Sequence, residues 1–362
     1  MSVQERAARV STVGEIEWAL ERIAARAAEL DREPRFPAEN FTDLAAAGVL
    51  APCDRGLGRD TRLVRAVAAV DGSTSRILDG HLNGVERLAL CAPEPLRSEQ
   101  LAEIAEGRLL LGVWGADPSD GEGPPAHIAQ TSGGPVLRGV KTFCSGAGGV
   151  QRALVIATDA ASDGARRLAY LDVSSDVSID RDWYRASGLR SSESHRVEFH
   201  DTPILALLGG PGEISREPYF SRDAIRTAGT WAGLADCILG QTLSALEPRR
   251  VDDGQAHALG RMRVARATVD RWLEHATAVL DQPDGTPRRL DPAALAVECR
   301  VSLAECAQAI SAEAARICGS RPLVSGGDLD RARRDLDLFV RQHRLDPKLL
   351  RLGLDMLAGE DR

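Results

Sequence analysis

Apolar residues recur every three to four positions along the first part of the chain, which is the pattern of amphipathic helices. The clearest run extends from Val13 to Leu30, and a second begins near Pro37 and ends at Gly48, a residue typical of helix C-termini. Further helices are predicted over residues 61–70, 71–90 and 94–106. The chain is therefore predicted to be helical up to about residue 106.

The pattern changes between residues 108 and 208, where short apolar runs replace the longer helical ones. Clusters of glycine, proline, serine and aspartate separate these runs, and such spacing is typical of strands joined by turns. The runs read LLLGVW, PVLRGVKTF, ALVIATD, RLAYLDV and HRVEFHD. They predict an antiparallel β-barrel or sandwich of about five to seven strands.

Helical periodicity returns from about residue 215, with longer helices than before. Candidate helices cover residues 223–246, 256–280, 292–317, 329–342 and 348–357. Long helices in this number usually form an antiparallel bundle. The sequence therefore predicts an α+β protein with an N-terminal helical domain (1–106), a central antiparallel β-domain (107–210) and a C-terminal four-helix bundle (211–362).

Composition and charge narrow the function class. Apolar residues make up 43% of the chain, enough for a sizeable core, and the net charge of −8 argues against general binding to nucleic acid or anionic membranes. No apolar run approaches the roughly 18 residues of a membrane span, and the start MSVQERAARV lacks the apolar segment of a secretory signal. The seven cysteines are scattered without a CxxC pair. We therefore expect a cytoplasmic protein with reduced thiols and no metal, nucleic-acid or membrane partner.

Two motifs lie in the predicted β-domain. The first, GVWGADPSDGEG at 112–123, places an Asp117–Pro118 turn directly after a strand. The second, LRGVKTFCSGAGG at 137–149, places Phe143 and Ser145 two residues apart, so strand alternation predicts both on one face. Each motif alone also has an ordinary structural interpretation, as a hairpin turn and as a core aromatic residue.

Three further motifs follow. SGLRSSESHRVEFHDTPI at 187–204 closes the β-domain, and EPRRVDDG at 247–254 places Arg250 four residues before Gly254. LDRARRDLDLFVRQH at 329–343 places Arg331 four residues before Asp335, a spacing that allows an intrahelical ion pair. A surface arginine and a helix-stabilising charge pattern are the alternative interpretations of the last two motifs.

In this order the motifs resemble those of the acyl-CoA dehydrogenase superfamily, and the resemblance covers nearly the whole chain. It implies the fold described above and an FAD site between the β-domain and the C-terminal helices. The turn at Ala116 would offer backbone groups to the flavin, Phe143 would pack beside the ring and the Ser145 hydroxyl would bond it. Arg250 would reach the flavin pyrophosphate of a neighbouring subunit, because a guanidinium donates bidentately to phosphate. The resemblance thus implies a homo- or hetero-oligomer, a dimer or a tetramer.

The catalytic glutamate of typical family dehydrogenases is missing. It would stand eight residues after Asp335, where this chain has His343. Some family members carry the base at the start of the first long C-terminal helix, where this chain offers Asp223. His343 is open to three interpretations: the general base, the histidine of flavin monooxygenases that share this fold, or a helix C-cap. Asp223 is open to two, the base and a helix N-cap.

Three functions are compatible with these residues. The first is an FAD-dependent oxidoreductase that removes hydrogen from the α and β carbons of an acyl thioester or a related small molecule. The second is a flavin monooxygenase of the same fold that uses FMN or another reduced flavin with O₂. The third is a non-catalytic subunit that completes a partner's flavin site, since the segment CDRGLGRD (53–60) lacks the family's P-x-x-x-G-G pattern.

Overall fold

The computed structural model describes residues 13–51, 56–246, 251–283, 290–324, 326–342 and 344–359. Their contacts form two compact units. The first unit contains residues up to 51, residues 76–185 and residues 190–216, and the second contains residues 56–75, 186–189 and 217 onward. Secondary structure changes from helix to strand between residues 105 and 111, and from strand back to helix between residues 208 and 219. The predicted division into three domains, with boundaries at residues 106 and 210, is a different grouping of the chain and stays a prediction.

The helices of the first unit agree closely with the predicted ones. They are α1 (Val13–Arg32), α2 (Ala38–Ala46), most of α4 (Gly72–Cys91) and α5 (Leu96–Ala105). The buried His81 on α4 makes two hydrogen bonds within this unit: Nε2 donates to the Leu50 carbonyl and Nδ1 accepts from the Leu111 N–H. A fully buried histidine thus has both ring nitrogens satisfied, which makes it a structural residue.

Seven strands make up the β-structure of the first unit. They are β1 (Leu111–Trp114), β2 (His127–Thr131), β3 (Gly134–Cys144), β4 (Arg152–Asp159), β5 (Ala165–Asp172), β6 (Val177–Asp180) and β7 (His195–Leu208). Five of them close on themselves in the order β4–β2–β3–β7–β5–β4, while β1 pairs with β4 and β6 pairs with β7. Of the two predicted alternatives, a barrel and a sandwich, the structure forms the barrel, and closure removes the unpaired edges that an open sheet would expose.

The prediction of a purely antiparallel β-domain is wrong. Strand β4 runs parallel to both β1 and β2, whereas the other pairings are antiparallel. The reason is the β2–β3 hairpin, which reverses the chain once, so that β4 then runs in the same direction as β2 and its last residues pair with the first residues of β2. Residues 115–151 also supply the long crossover that parallel pairing of β1 with β4 requires.

The second unit is helical. It contains α3 (Leu57–Ala68), the first turn of α4, α6 (Tyr219–Leu246), α7 (Asp253–Leu280), α8 (Pro292–Cys318), α9 (Asp328–Phe339) and α10 (Asp346–Ala358). Asp252 begins α7 with a capping box to Gln255, and Asp291 caps α8 directly before Pro292. These are the residue types that helix starts prefer, so the predicted bounds lie within a few residues of the observed ones.

The predicted four-helix bundle differs in its membership. Helix α3, from the N-terminal part of the chain, packs along α6 together with α7, α8 and α9. Two glycines on α6 permit this approach, because a Cβ on Gly229 would lie 2.9 Å from the Thr61 carbonyl oxygen and one on Gly233 would lie 2.2 Å from the Arg65 carbonyl oxygen. The long-range contact of α3 therefore depends on a pair of small residues that local periodicity does not report.

No helix in the part of the chain that the structure describes combines the length and the apolar character that crossing a membrane requires.

Candidate functional site

Phe143 has an unusual backbone conformation at the end of β3. Its φ of +51° lies in the left-handed region, which a bulky side chain rarely adopts. The register between β3 and β7 shifts between Lys141 and Cys144, so a β-bulge interrupts the strand here. As a result the Phe143 ring is 45% exposed instead of entering the barrel core. Strained residues of this kind cluster at binding and catalytic sites.

Residues on both sides hold the bulge in place. The Thr142 N–H donates to the Ala116 carbonyl (3.1 Å) and its hydroxyl donates to the Asp117 carbonyl (3.2 Å). After the bulge, the Ser145 N–H donates to the Phe143 carbonyl (2.9 Å) in a tight turn. The structure thus brings Ala116, Phe143 and Ser145 to one end of the barrel. Ser145 lies just past the strand, buried, while Phe143 is half-exposed, so simple alternation does not describe the pair.

A second aromatic residue completes the exposed surface. The rings of Phe143 and Trp183 meet edge to face with centroids 4.9 Å apart. The Trp183 indole donates to the Glu122 carboxylate (2.7 Å), and this bond together with the Ser119 N–H holds the pKa of Glu122 below its ordinary value. Trp183 is therefore fixed by the loop before β2, and the two rings present a rigid aromatic edge.

A file of hydroxyl groups leads away from Ser145. The Ser145 and Ser194 hydroxyl oxygens lie 2.8 Å apart, and those of Ser194 and Ser192 lie 2.7 Å apart. The Ser192 hydroxyl lies 3.5 Å from that of Tyr184, which is partly exposed. The three serines are buried, so the file joins the Ser145 hydroxyl to the protein surface through groups that both donate and accept.

A buried lysine stands behind the bulge. Lys141 is 1% exposed, and its ammonium group donates to the Asp117 carboxylate (2.6 Å) and the Gly115 carbonyl (3.2 Å). Burial lowers the pKa of Lys141, and the bond to Asp117 opposes this effect. Arg166 donates to the other oxygen of Asp117 (2.8 Å). This network fixes the turn of residues 115–117, and Lys141 is a buried, paired charge and not a solvated one.

A buried imidazole lies next to the hydroxyl file in the sequence. The His195 Nε2 lies 3.0 Å from the Glu193 carboxylate, which also accepts from Arg181 (3.0 Å). Because a carboxylate only accepts, Nε2 carries the hydrogen. The buried Nδ1 has no hydrogen-bond partner among the described residues. His195 is thus held in place by a carboxylate that Arg181 also binds.

Chemically, this end of the barrel suits a flat aromatic ligand. The Phe143–Trp183 pair, in which Phe143 is half-exposed, offers an apolar surface, and the nearby Ser145 hydroxyl offers a hydrogen bond. These are the groups that a flavin ring requires, so the residues fit the cofactor implied by the resemblance. Among the described residues, no cluster of histidine, cysteine, aspartate or glutamate is placed to hold a metal ion.

Asp223 lies in the second unit, as the fifth residue of α6, so the predicted interpretation as the helix N-cap is wrong. Its carboxylate lies 3.4 Å from the guanidinium of Arg226, which is fully buried. The same guanidinium lies 3.2 Å from the Asp60 carboxylate on α3. Asp223 is therefore part of a buried charge cluster, which favours a structural role over that of a free base.

Asp223→Asn is expected to lower the free energy of unfolding by about 1–2 kcal/mol, because an amide replaces a charged partner of Arg226. Urea unfolding measures the change, and Asp253→Asn at the exposed start of α7 is the control, with an expected loss below about 0.5 kcal/mol. Unchanged stability of Asp223→Asn together with lost turnover would instead identify Asp223 as the base.

The Arg-Asp motif of α9 fastens the segment 186–189, which belongs to the same unit. The Asp335 carboxylate accepts from the Leu189 N–H (2.6 Å), and Arg334 donates to the Ser187 carbonyl. A Cβ on Gly188 would lie 2.3 Å from the Arg334 carbonyl oxygen. Arg331 lies 2.9 Å from Asp328 and donates to the Val70 carbonyl (3.3 Å). The motifs at 187–204 and 329–343, which are far apart in the sequence, are therefore hydrogen-bonded to each other.

Two of the predicted site residues, Arg250 and His343, lie outside the described residues, and their roles stay predictions. The neighbouring Asp252 is described, and its side chain accepts from the Gln255 N–H (2.8 Å). It therefore acts as a helix N-cap.

Several residues of this site are not singled out by the sequence motifs. Trp183 lies in a polar loop, and its position beside Phe143 depends on a long-range contact. Ser192 and Tyr184 join the hydroxyl file only because β7 pairs with β3. One signal was available: the motif at 187–204 contains a cluster of serine hydroxyls, Ser191, Ser192 and Ser194, directly before β7.

Comparison with known proteins places this geometry in context. No protein-family model matches the chain. A dibenzothiophene monooxygenase from Rhodococcus qingshengii is 28% identical over 207 residues, covering 53% of this chain and 49% of the relative. The chain thus spans about half the length of the curated relatives it matches.

Solved structures show the fold over almost the whole chain. Methanesulfinate monooxygenase MsuC from Pseudomonas fluorescens superposes with a TM-score of 0.83 at 20% identity, covering 97% of this chain and 98% of that one. FMN-bound TdsC from Paenibacillus sp. A11-2 gives 0.86 at 14% identity, covering 96% and 97%. At such identities the likeness concerns the fold, and it agrees with the predicted acyl-CoA dehydrogenase-like architecture.

Proposed function

We propose that this protein is a flavin-dependent monooxygenase that takes FMN and oxidises a small organic molecule with O₂. The observation that carries the proposal is the strained, half-exposed Phe143 beside the buried Ser145 hydroxyl. The monooxygenases among the related proteins support it, and the FMN-bound structure favours FMN over the FAD expected from the sequence.

The chain's own residues have distinct parts in this proposal. The Phe143–Trp183 edge binds the flat ring and the Ser145 hydroxyl bonds it, while Lys141 and Asp117 hold the turn that carries Ala116. Bound reduced FMN would supply two electrons, so that one atom of O₂ enters the substrate and the other leaves as water. The Ser145–Ser194–Ser192 file offers a path along which a proton moves to the Ser145 oxygen.

Dehydrogenation of an acyl thioester is less well supported. The proteins compared above are named for monooxygenation, and the glutamate that would remove the α-proton is replaced by His343. The pairing of Asp223 with Arg226 also makes that carboxylate a poor substitute. The monooxygenase interpretation of His343 is the one we carry forward, together with Arg250 as the phosphate ligand and an oligomer as the assembly.

The deciding experiment combines the purified protein with chemically reduced FMN and ¹⁸O₂. Dibenzothiophene and methanesulfinate are the trial substrates, and mass spectrometry measures the label in the product. We expect incorporation of one ¹⁸O atom per oxygenation. The parallel arm mixes the oxidised FMN complex anaerobically with octanoyl-CoA, for which we expect no bleaching.

Three outcomes contradict the proposal. Bleaching by octanoyl-CoA would establish the dehydrogenase, and a protein that binds no flavin would establish the non-catalytic subunit. Flavin binding without label in the product of either compound would show that neither compound is a substrate. The absence of label from a wider panel of heteroatom compounds would contradict monooxygenation itself.

Ser145→Ala is expected to weaken FMN binding by about 1 kcal/mol, roughly fivefold, because one hydrogen bond to the ring is lost. Quenching of FMN fluorescence during titration measures the dissociation constant. Ser175→Ala, at an exposed turn of the same unit, is the control and is expected to bind FMN unchanged. Equal affinity of Ser145→Ala and the parent protein would contradict the assigned contact.

A further inference from the structure

A cavity of about 280 Å³ opens within the helical unit, and none of the residues assigned to the proposed flavin site lines it. It lies between the start of α6, the start of α8 and helix α10. Phe220, Ala224, Val297 and Leu352 give it a mostly apolar wall. Enclosed apolar walls with a few charged groups are typical of small-molecule sites.

Lys348 is the distinctive residue of this cavity. It is one of only two lysines in the chain, against 43 arginines that make up the rest of the 45 basic residues. Its Nζ lies 6.0 Å from the centroid of the Phe220 ring. Within the described residues no carboxylate lies at ion-pair distance from Nζ. Burial, and then the nearby Arg300, lower the pKa of Lys348.

The acidic groups around the cavity already have partners. Glu217 accepts from the Ser221 N–H (3.2 Å), and Asp291 accepts from the Ala294 N–H (3.0 Å) as the cap of α8. Asp355 pairs with Arg351 on α10 (2.8 Å). The half-buried Lys348 ammonium therefore stands at an apolar cavity with no described counter-ion.

We propose that this cavity binds a small organic carboxylate whose anionic head meets Lys348 and whose apolar body lies against Phe220, Ala224 and Leu352. A cation that is partly removed from water gains from a charged acceptor, because ionised hydrogen bonds are stronger than neutral ones. The apolar wall contributes by removing the hydrocarbon part of the ligand from water. This site is independent of the proposed flavin chemistry, since it uses none of the same residues.

The scarcity of lysine makes the test direct. The ¹³C NMR spectrum of protein labelled at the lysine ε-carbon contains only two lysine signals, from Lys141 and Lys348. The spectrum of Lys348→Met assigns them. Benzoate is the probe, and benzamide is the neutral control of the same shape. Lys141 is an internal control, because it is buried in the other unit and paired with Asp117.

We expect benzoate to shift the Lys348 signal in a saturable manner, to leave the Lys141 signal in place and to raise the pKa of Lys348 by linkage. Benzamide should bind at least about tenfold more weakly, as should benzoate to Lys348→Met. Ala294→Phe, which fills the cavity and keeps the lysine, should abolish the shift. Calorimetry measures the affinities of the two variants.

The proposal fails if benzoate causes no saturable shift, or if benzamide binds as tightly as benzoate. It also fails if Ala294→Phe or a folded Lys348→Met retains the parent affinity. If Lys348→Met does not fold, the benzoate and benzamide titrations of the parent protein and Ala294→Phe still decide the matter. FMN binding is measured in the same preparations, so that loss of the carboxylate site and loss of the flavin site are recorded separately.

Discussion

Replacing Gly233 with alanine is expected to destabilise the protein by about 2–3 kcal/mol, although glycine to alanine usually stabilises a helix. The added Cβ would lie 2.2 Å from the Arg65 carbonyl oxygen and 2.6 Å from the Ala68 Cβ. The nearer atom belongs to the backbone, so α3 or α6 must shift to make room. That shift would also disturb the bonds from Arg65 to Asp236 (2.6 Å) and Asp270 (2.6 Å).

Gly240 offers a matched control on the same helix. A Cβ there would meet nothing within 4 Å, so Gly240→Ala is expected to stabilise the protein by about 0.5–1 kcal/mol through helix propensity alone. Denaturant unfolding followed by circular dichroism measures both changes. If Gly233→Ala is as stable as Gly240→Ala, the close packing of α3 on α6 is not formed in solution.

Arg226→Met is expected to cost about 3–5 kcal/mol, the largest loss among these variants, because it removes the cation from a buried charge cluster. Arg226 is fully buried, and its guanidinium lies between the Asp60 and Asp223 carboxylates. Methionine preserves much of the volume, so the main effect is two carboxylates left near each other in a poorly hydrated place.

A second variant separates charge from packing. Arg226→Lys keeps a cation beside the Asp60 and Asp223 carboxylates, so we expect it to cost about 1–2 kcal/mol less than Arg226→Met. Arg316→Met, which breaks an exposed pair with Glu313, is the control and should cost less than about 0.5 kcal/mol. Equal losses in Arg226→Lys and Arg226→Met would show that the arginine acts through packing and not through its charge.

Asp223 bears both on the proposed function and on the stability of the second unit. As a general base, this residue would have to face a substrate, whereas its carboxylate lies 3.4 Å from the fully buried guanidinium of Arg226. In the proposed function, protons therefore move along the file of hydroxyl groups at the barrel end and not through Asp223. This contrast makes the oxygenation experiment informative about mechanism as well as about function.

The long helices were predictable from the sequence because their signals are local. Periodic apolar residues and capping pairs such as Asp291–Pro292 act within one or two turns, and the predicted bounds of α8 differ from the observed ones by a single residue. The barrel was predictable for a similar reason, since short apolar strands alternate with turn residues. The shared strand face predicted for Phe143 and Ser145 did not follow, because the strand ends at Cys144 and the bulge exposes Phe143 while Ser145 is buried.

The tertiary structure alone decided what depends on contacts between distant residues. Strands β2 and β6 are short and half polar, so that only their pairing with β3 and β7 identifies them. The bulge that exposes Phe143, the parallel pairing of β4 and the place of α3 beside α6 likewise arise from long-range hydrogen bonds and close backbone approach. Periodicity along the chain cannot encode these features, because it reports which side of an element is buried but not against which partner.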